Sequence, residues 1–307
     1  MVCVGHAALD HVFEVEQLPQ HGAKALAHRY RALPGGMALH ASIAAARLGA
    51  SVRLIGRVGD DAAADFLRAR LAEEGVEARG LESVPGTESS LASVVVDAAG
   101  ERQIVVHRGD ALVRAHPLDT RVLEGADVVL ADPRWPDGAA AALTWAREHG
   151  VLSVLDAEVA PRADLERLVP LAQWVAFSQP GLALWACGAP FDEALFSALA
   201  LGPCAALVTL GAAGARWREA GQPVQRCPAP SVRAVDTTGA GDVFHAALAV
   251  ALGELHPAPD AVSWACAAAA FKCERGFGAA GAPTRRQLAA WLRRRGSSAS
   301  APAAALA

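Results

Sequence analysis

The residues best suited to chemistry cluster at 232–250, around Asp236-Thr237-Thr238-Gly239-Ala240-Gly241-Asp242. An apolar lead-in reaches Val235, and an alanine-rich helical run begins near Asp242. Gly239 and Gly241 carry no side chain to keep a ligand off the backbone. Unpaired N–H groups at the helix start that follows face outward and favour an anion. Asp242 lies in the same turn, a carboxylate beside a hole of phosphate size. This pairing suits phosphoryl transfer: the N–H groups hold developing negative charge while the carboxylate accepts a proton from an attacking hydroxyl. On spacing alone, an ordinary capped helix after a glycine turn fits the same residues.

Positioning these groups calls for a layered α/β chain. Short apolar runs at 1–9, 51–58, 126–131, 151–155, 173–177 and 205–210 read as buried strands, most running into polar or glycine turns. Helical segments at 38–48, 65–74 and 139–149 alternate with them. That order predicts a mostly parallel sheet covered on both faces, with ligands at the carboxyl ends of the strands. Asp10, delivered by the turn after the first strand, either accepts two hydrogen bonds from a ligand or caps its own turn. From 11 to 33, and again at 89–96 and 101–107, polar and apolar residues alternate, as in half-exposed antiparallel strands. Residues 97–100 supply a hairpin turn between the latter two. The expected division is an α/β core of 1–10, 35–88 and 109–296, a small projecting sheet of 11–34 and 89–108, and a disordered tail of 297–307.

Composition narrows the classes. The 307 residues are 53% hydrophobic and 20% charged, ample for a buried core. A net charge of −4 argues against a general nucleic-acid binder, and Arg293-Arg294-Arg295 reads as the solvated end of a last helix. Lys24 and Lys272 are the only lysines. Six cysteines show no C-x-x-C spacing and no paired histidines, which disfavours a zinc site or a disulfide scaffold and suits buried thiols in a reducing compartment. The N-terminus lacks a signal-peptide layout and no uninterrupted apolar run reaches membrane-spanning length, so a cytoplasmic protein is expected. Neither lysine sits in a Walker A loop, and no strand-linked G-x-G-x-x-G is present.

The run Asp-Thr-Thr-Gly-Ala-Gly-Asp-Val-Phe at 236–244 resembles the signature of the ribokinase-like (PfkB) carbohydrate kinases. The resemblance implies an ATP-dependent sugar kinase in which Asp242 is the base and Gly239, Ala240 and Gly241 form the anion hole. It implies that Asp10 and the Gly35-Gly36 pair meet the sugar, and that the small sheet is a lid which also makes a homodimer contact. Thr209, Gly211 and Gly214 resemble the family's phosphate-contacting turn, joined by Gly239 and Gly241, and 266–272 resembles the helix that walls the adenine pocket. Asp236 and Thr237 align with a monovalent-cation loop, which implies K⁺. One place departs from the pattern: many relatives carry Asn-x-x-Glu, organising Mg²⁺, where this chain reads Ser178-Gln179-Pro180-Gly181. Either phosphates and water hold the Mg²⁺, or the chain is a sugar-sensing homologue without catalysis.

The stretches 128–139 and 176–183 look closer to bacterial sulfofructose kinases, implying a ketose acceptor, 6-deoxy-6-sulfofructose, phosphorylated on its 1-OH. Arg134 follows a strand end, where a planar guanidinium can grip an anionic group at the far end of the sugar. Lys24, on the expected lid, either closes over that anion or remains a solvated charge. Val106 stands where such relatives are expected to carry Asn, which keeps the acceptors of fructokinases, ribokinases and nucleoside kinases open.

Overall fold

A computed structural model describes residues 1–20, 22–99, 101–113, 117–276 and 278–296. The chain opens with β1 (Val2–Gly5), β2 (Ala8–Val15), β3 (Ala27–Gly35) and α1 (Met37–Arg47). Next come β4 (Arg53–Gly59), α2 (Ala62–Glu73), β5 (Leu81–Val84), β6 (Ser90–Val96), β7 (Arg102–His107) and the short α3 (Asp110–Val113). Strand–helix units follow: β8 (Val128–Ala131) with α4 (Pro136–Glu148), β9 (Leu152–Ala157) with α5 (Arg162–Leu168), and β10 (Trp174–Ser178) with α6 (Gln179–Trp185) and α7 (Phe191–Leu199). The strands β11 (Ala205–Thr209), β12 (Ala215–Glu219) and β13 (Gln225–Cys227) lead to α8 (Ala240–Gly253), α9 (Ala258–Cys273) and α10 (Arg285–Arg294).

Nine strands form one sheet in the order β13-β12-β11-β10-β9-β8-β1-β4-β5. Every pairing from β5 to β11 is parallel, and only β12 and β13 at one edge are antiparallel. This is the expected α/β architecture, and strand periodicity explains it. Cys3, Val128, Leu130 and Ala176 pack with residues of α1, α8 and α9, whereas Val2, Val4, Val129 and Phe177 pack with residues of α4 to α7. Alternate residues thus face opposite helical layers, so the strands must be apolar throughout. Leu143 and Leu248 lie wholly inside these layers, and truncating either to Ala costs about 2–5 kcal/mol.

The second sheet has four strands in the order β3-β2-β6-β7. It is mixed: β2 and β6 run parallel, while β2 with β3 and β6 with β7 are antiparallel. Its apolar centre is small, with Val12, Ala92 and Val94 buried, and β7 is largely exposed. In the turn after β6 the Asp97 side chain accepts from the N–H groups of Ala99 and Glu101, both at 2.9 Å. Gly100 of that expected turn, and the expected tail at 297–307, lie outside the described residues.

One boundary differs from the sequence expectation and moves a site residue. The first core strand stops at Gly5, and β2 of the small sheet already begins at Ala8. Asp10 therefore sits inside a strand of the second sheet rather than on a turn closing the first. The chain changes sheets at His6-Ala7, where the His6 carbonyl accepts from the Leu39 N–H at 3.2 Å.

Candidate active site

Within the large sheet β1 is flanked by β8 on one side and β4 on the other, so the strand order reverses there. A crevice opens at such a reversal, outside the carboxyl ends of the strands. Asp132, just past β8, ties it together. Its Oδ2 accepts from the N–H groups of His6 (2.8 Å) and Ala38 (3.0 Å), and its Oδ1 accepts from the N–H of Arg134 (2.8 Å). Burial pushes this carboxyl up to about 7, against the pull of its N–H donors. The end of β1, the start of α1 and the segment bearing Arg134 are thereby joined through one carboxylate.

The β2–β3 register sets Ala8 opposite Gly35 and Asp10 opposite Leu33. A Cβ on Gly35 would lie inside the Asp10 carboxyl, so glycine is what lets that acid face the crevice. The chain then turns through Gly36 into α1, which delivers the buried His40 one helical turn later. His40 Nε2 lies 3.0 Å from the Pro34 carbonyl and Nδ1 lies 3.0 Å from Asp242 Oδ2. Both ring nitrogens face acceptors, which only the doubly protonated ring satisfies. Burial opposes that charge, but the hydrogen bond to Asp242, the Asp242 charge and that of Asp10 outweigh it, and the His40 pKa stands above its ordinary value. Asp10 is also shifted upward, by burial first and by the Asp242 charge, with His40 opposing.

At the other end of the crevice Arg108 donates to the Arg134 carbonyl at 3.0 Å. No carboxylate among the described residues pairs with either guanidinium. Burial, then the charges of Arg134 and Arg108, lower the nearby His6 to about 3, so its imidazole is neutral. Lys24 lies in the exposed segment between β2 and β3 and has no polar partner among the described residues. The cation beside Arg134 is Arg108, which comes from the far side of the same small sheet.

The side of the crevice at the start of α8 is built from backbone. Gly239 caps α8 in a left-handed conformation, φ 74°, that a side chain would strain. Among the described residues the N–H groups of Gly239, Gly241 and Asp242 have no partner, while that of Ala240 turns back to the Thr237 carbonyl at 3.2 Å. Of the three expected N–H donors, Ala240 is thus already engaged, and the Asp242 N–H is unengaged among the described residues. A cavity of about 370 Å³ opens beside it, lined among others by Thr209, Gly211, Gly214, Thr237, Gly241 and Cys266. Gly239 backs instead onto His40, where a Cβ would come within 3.1 Å of Nδ1.

The expected cation loop is occupied by protein. Lys272 Nζ donates to Asp236 Oδ2 at 2.7 Å and to the Asp236 carbonyl at 2.9 Å. Arg102, from β7, lies 3.1 Å from Asp236 Oδ1 and also donates to the hydroxyls of Thr237 and Thr238. These residues do not fit a monovalent cation on Asp236. Where Asn-x-x-Glu was missing, Ser178 caps α6 and donates to Glu158 at 2.8 Å, so a carboxylate from the end of β9 stands at that place. A Cβ on Gly181 would meet the Ala157 carbonyl and the Glu158 backbone, which leaves no room for a side chain there. Asp156 and His245 lie 2.8 Å apart beneath, both buried. Burial raises Asp156, followed in the same direction by the charges of Asp242 and Glu158.

Sequence reasoning missed His40, Arg102, Arg108 and Glu158. His40 left a faint signal, an imidazole inside an alanine-rich helix. Arg102 and Arg108 left none, because their partners lie far away in the chain.

A carboxylate beside unengaged helix-start N–H groups, with a cavity next to them, is an arrangement suited to phosphoryl transfer to a hydroxyl. The sequence profile described as pfkB family carbohydrate kinase matches residues 1–285. The ribokinase of Bacillus subtilis (strain 168) is 33% identical over 296 residues, spanning 94% of this chain and 97% of that protein. The crystal structure of a putative ribokinase from Agrobacterium tumefaciens superposes with a TM-score of 0.91 at 35% identity, covering 96% and 97% of the two chains. Arabidopsis thaliana ribokinase, solved with ribose and ATP, superposes with a TM-score of 0.84 at 25% identity, covering 95% and 98%. The chain belongs to the PfkB family of carbohydrate kinases, with the ribokinase-like fold.

Proposed function

We propose that the protein transfers the γ-phosphoryl group of ATP to a primary hydroxyl of a sugar bearing an anionic group, with 6-deoxy-6-sulfofructose, phosphorylated on its 1-OH, as the acceptor. The observation that carries the anionic acceptor is that Arg108 reaches the Arg134 carbonyl and that both guanidiniums, with no carboxylate partner among the described residues, act on a neutral His6. Planar forks of this kind suit a sulfonate or phosphate.

In this reading the Asp10 carboxylate orients sugar hydroxyls with the Gly35-Gly36 backbone, and the two arginines hold the far end. His40 holds Asp242 through Oδ2, leaving the other oxygen to accept the proton of the attacking hydroxyl. The N–H groups of Gly239, Gly241 and Asp242 stabilise charge on the migrating phosphoryl group. Thr209, Gly211, Gly214 and Cys266 line the cavity that takes the nucleotide. Among the described residues no three acidic, histidine or cysteine side chains form a metal-holding group. A Mg²⁺ would be carried largely by phosphates and water, with Glu158 and Ser178 the residues that would face it. Such an ion supplies charge neutralisation on the phosphates.

The small sheet acts as a lid over the acceptor end. Ile104, Val105 and Val106 stand more than half exposed on its edge strand, and a second lid covering that edge supports a homodimer. Six free cysteines suit a reducing cytoplasm.

ATP consumption against sulfofructose, fructose 6-phosphate, fructose, ribose and adenosine tests the proposal. Selective turnover of sulfofructose is the expected result. Preference for a neutral sugar overturns the anionic acceptor and keeps the kinase. Silence across the panel, with ATP still bound, overturns catalysis and leaves a sugar sensor.

A further inference from the structure

We infer that the Lys272 ammonium is a tethered substitute for a monovalent cation beneath the anion-binding loop, so that this kinase works without K⁺. The Lys272 nitrogen rests on a carbonyl and a carboxylate oxygen of one residue, Asp236, at 2.9 and 2.7 Å. Such oxygens are those that replace the hydration shell of K⁺ in proteins. The lysine is fully buried in α9, and its stem runs against Gly281, where a Cβ would meet Cγ and Cε at 3.4 Å. The ammonium is therefore fixed in place.

The loop is locked to the same helix. The Cys273 carbonyl, one residue on, accepts from the N–H groups of Val235 (2.7 Å) and Asp236 (3.2 Å). Lys272 and Arg102 place two positive charges on the single Asp236 carboxylate. One unit of positive charge remains on the loop that carries the N–H groups of Gly239, Gly241 and Asp242, which have no partner among the described residues. A dissolved K⁺ entering here would meet a like charge and oxygens that already accept hydrogen bonds. Apart from Lys24, every other basic residue in the chain that is permanently charged is arginine. Position 272 keeps a compact ammonium, the side-chain charge closest in form to a bare ion.

ATP affinity, read by calorimetry with no acceptor present, tests this independently of which sugar is phosphorylated. Chlorides of potassium, sodium and tetramethylammonium are compared at about 0.1 M. The wild-type protein should bind ATP equally in all three, within about twofold. Lys272→Ala should lose about tenfold in ATP affinity in tetramethylammonium, and K⁺ or ammonium, entering the vacated place, should restore it. Lys272→Met fills that place with an uncharged stem and should show the loss without rescue. Severalfold tightening of the wild type by K⁺ would overturn the inference. So would wild-type affinity in Lys272→Met, a variant that keeps the packing if the alanine form fails to fold.

Discussion

The two ends of the crevice are built from different materials. In the proposed reading the nucleotide end is lined by backbone and small residues, with the N–H groups of Gly239, Gly241 and Asp242 unpartnered among the described residues and the glycine turn after β11 beside them. The acceptor end is lined by charged side chains, Asp10, Arg108, Arg134 and the neutral His6, contributed by three separate stretches of chain. A backbone site recognises what every ATP shares. A side-chain site can be rewritten residue by residue, so in the proposed reading it is there that the acceptor is chosen.

The most damaging way to break this division is to remove what both ends converge on. Asp242→Asn should lower kcat by about 10³-fold, with ATP and sugar affinities within a few fold of wild type by calorimetry. A loss of binding of the same size would mean that Asp242 shapes the loop rather than taking the proton. Next in size is a change that touches the acceptor end alone. Arg134→Ala should cut kcat/KM for a sulfonated or phosphorylated sugar by about 10²-fold while a neutral ketose loses less than about threefold. Arg108→Ala should follow it and Lys24→Ala should not, as measured by kcat/KM on the same pair of sugars. Equal losses on charged and neutral sugars would remove the anion from the picture.

The nucleotide end has its own separating variant. A Cβ on Gly241 meets no atom within 4 Å, so Gly241→Val adds bulk only towards the cavity. Its melting temperature should stay near that of the wild type, since unobstructed surface changes stay within about 0.5 kcal/mol, while ATP affinity falls about tenfold. A lower melting temperature at unchanged affinity would assign this glycine to the fold.

The same contrast decides how much of the molecule was legible in the sequence. The turn at 236–242 was legible because its residues are consecutive, and because glycine suits a place where backbone must meet an anion. The parallel sheet was readable because strands buried on both faces are continuously apolar. The acceptor end was not. Arg108 meets Arg134, and Arg102 meets Asp236, only after the small sheet folds over the large one, and nothing local marks such pairings. Glu158 was missed for a related reason: it reaches Ser178 from the end of the neighbouring strand, twenty residues away, and no local spacing links the two. Asp10 was singled out but wrongly placed, because a two-residue change of sheet at His6-Ala7 has no sequence signal.

His40 bridges the two ends, and its effect should be the smallest and the most dependent on pH. It belongs to α1 on the acceptor side and bonds the base that faces the nucleotide. Its folded-state pKa is raised above the unfolded value of about 6.5. The charged pair with Asp242 is therefore fully stabilising below pH 6.5 and is lost as the pH climbs through the folded-state pKa. His40→Gln should destabilise the protein by about 1–2 kcal/mol at pH 6 in denaturant unfolding, and the gap should close at alkaline pH. Turnover should fall a few fold at low pH, where the wild-type imidazolium fixes Asp242 Oδ2, and approach the wild-type value once that proton is gone. A pH-independent gap in both readouts would make His40 a packing residue and leave the two ends of the crevice coupled only through the α8 loop.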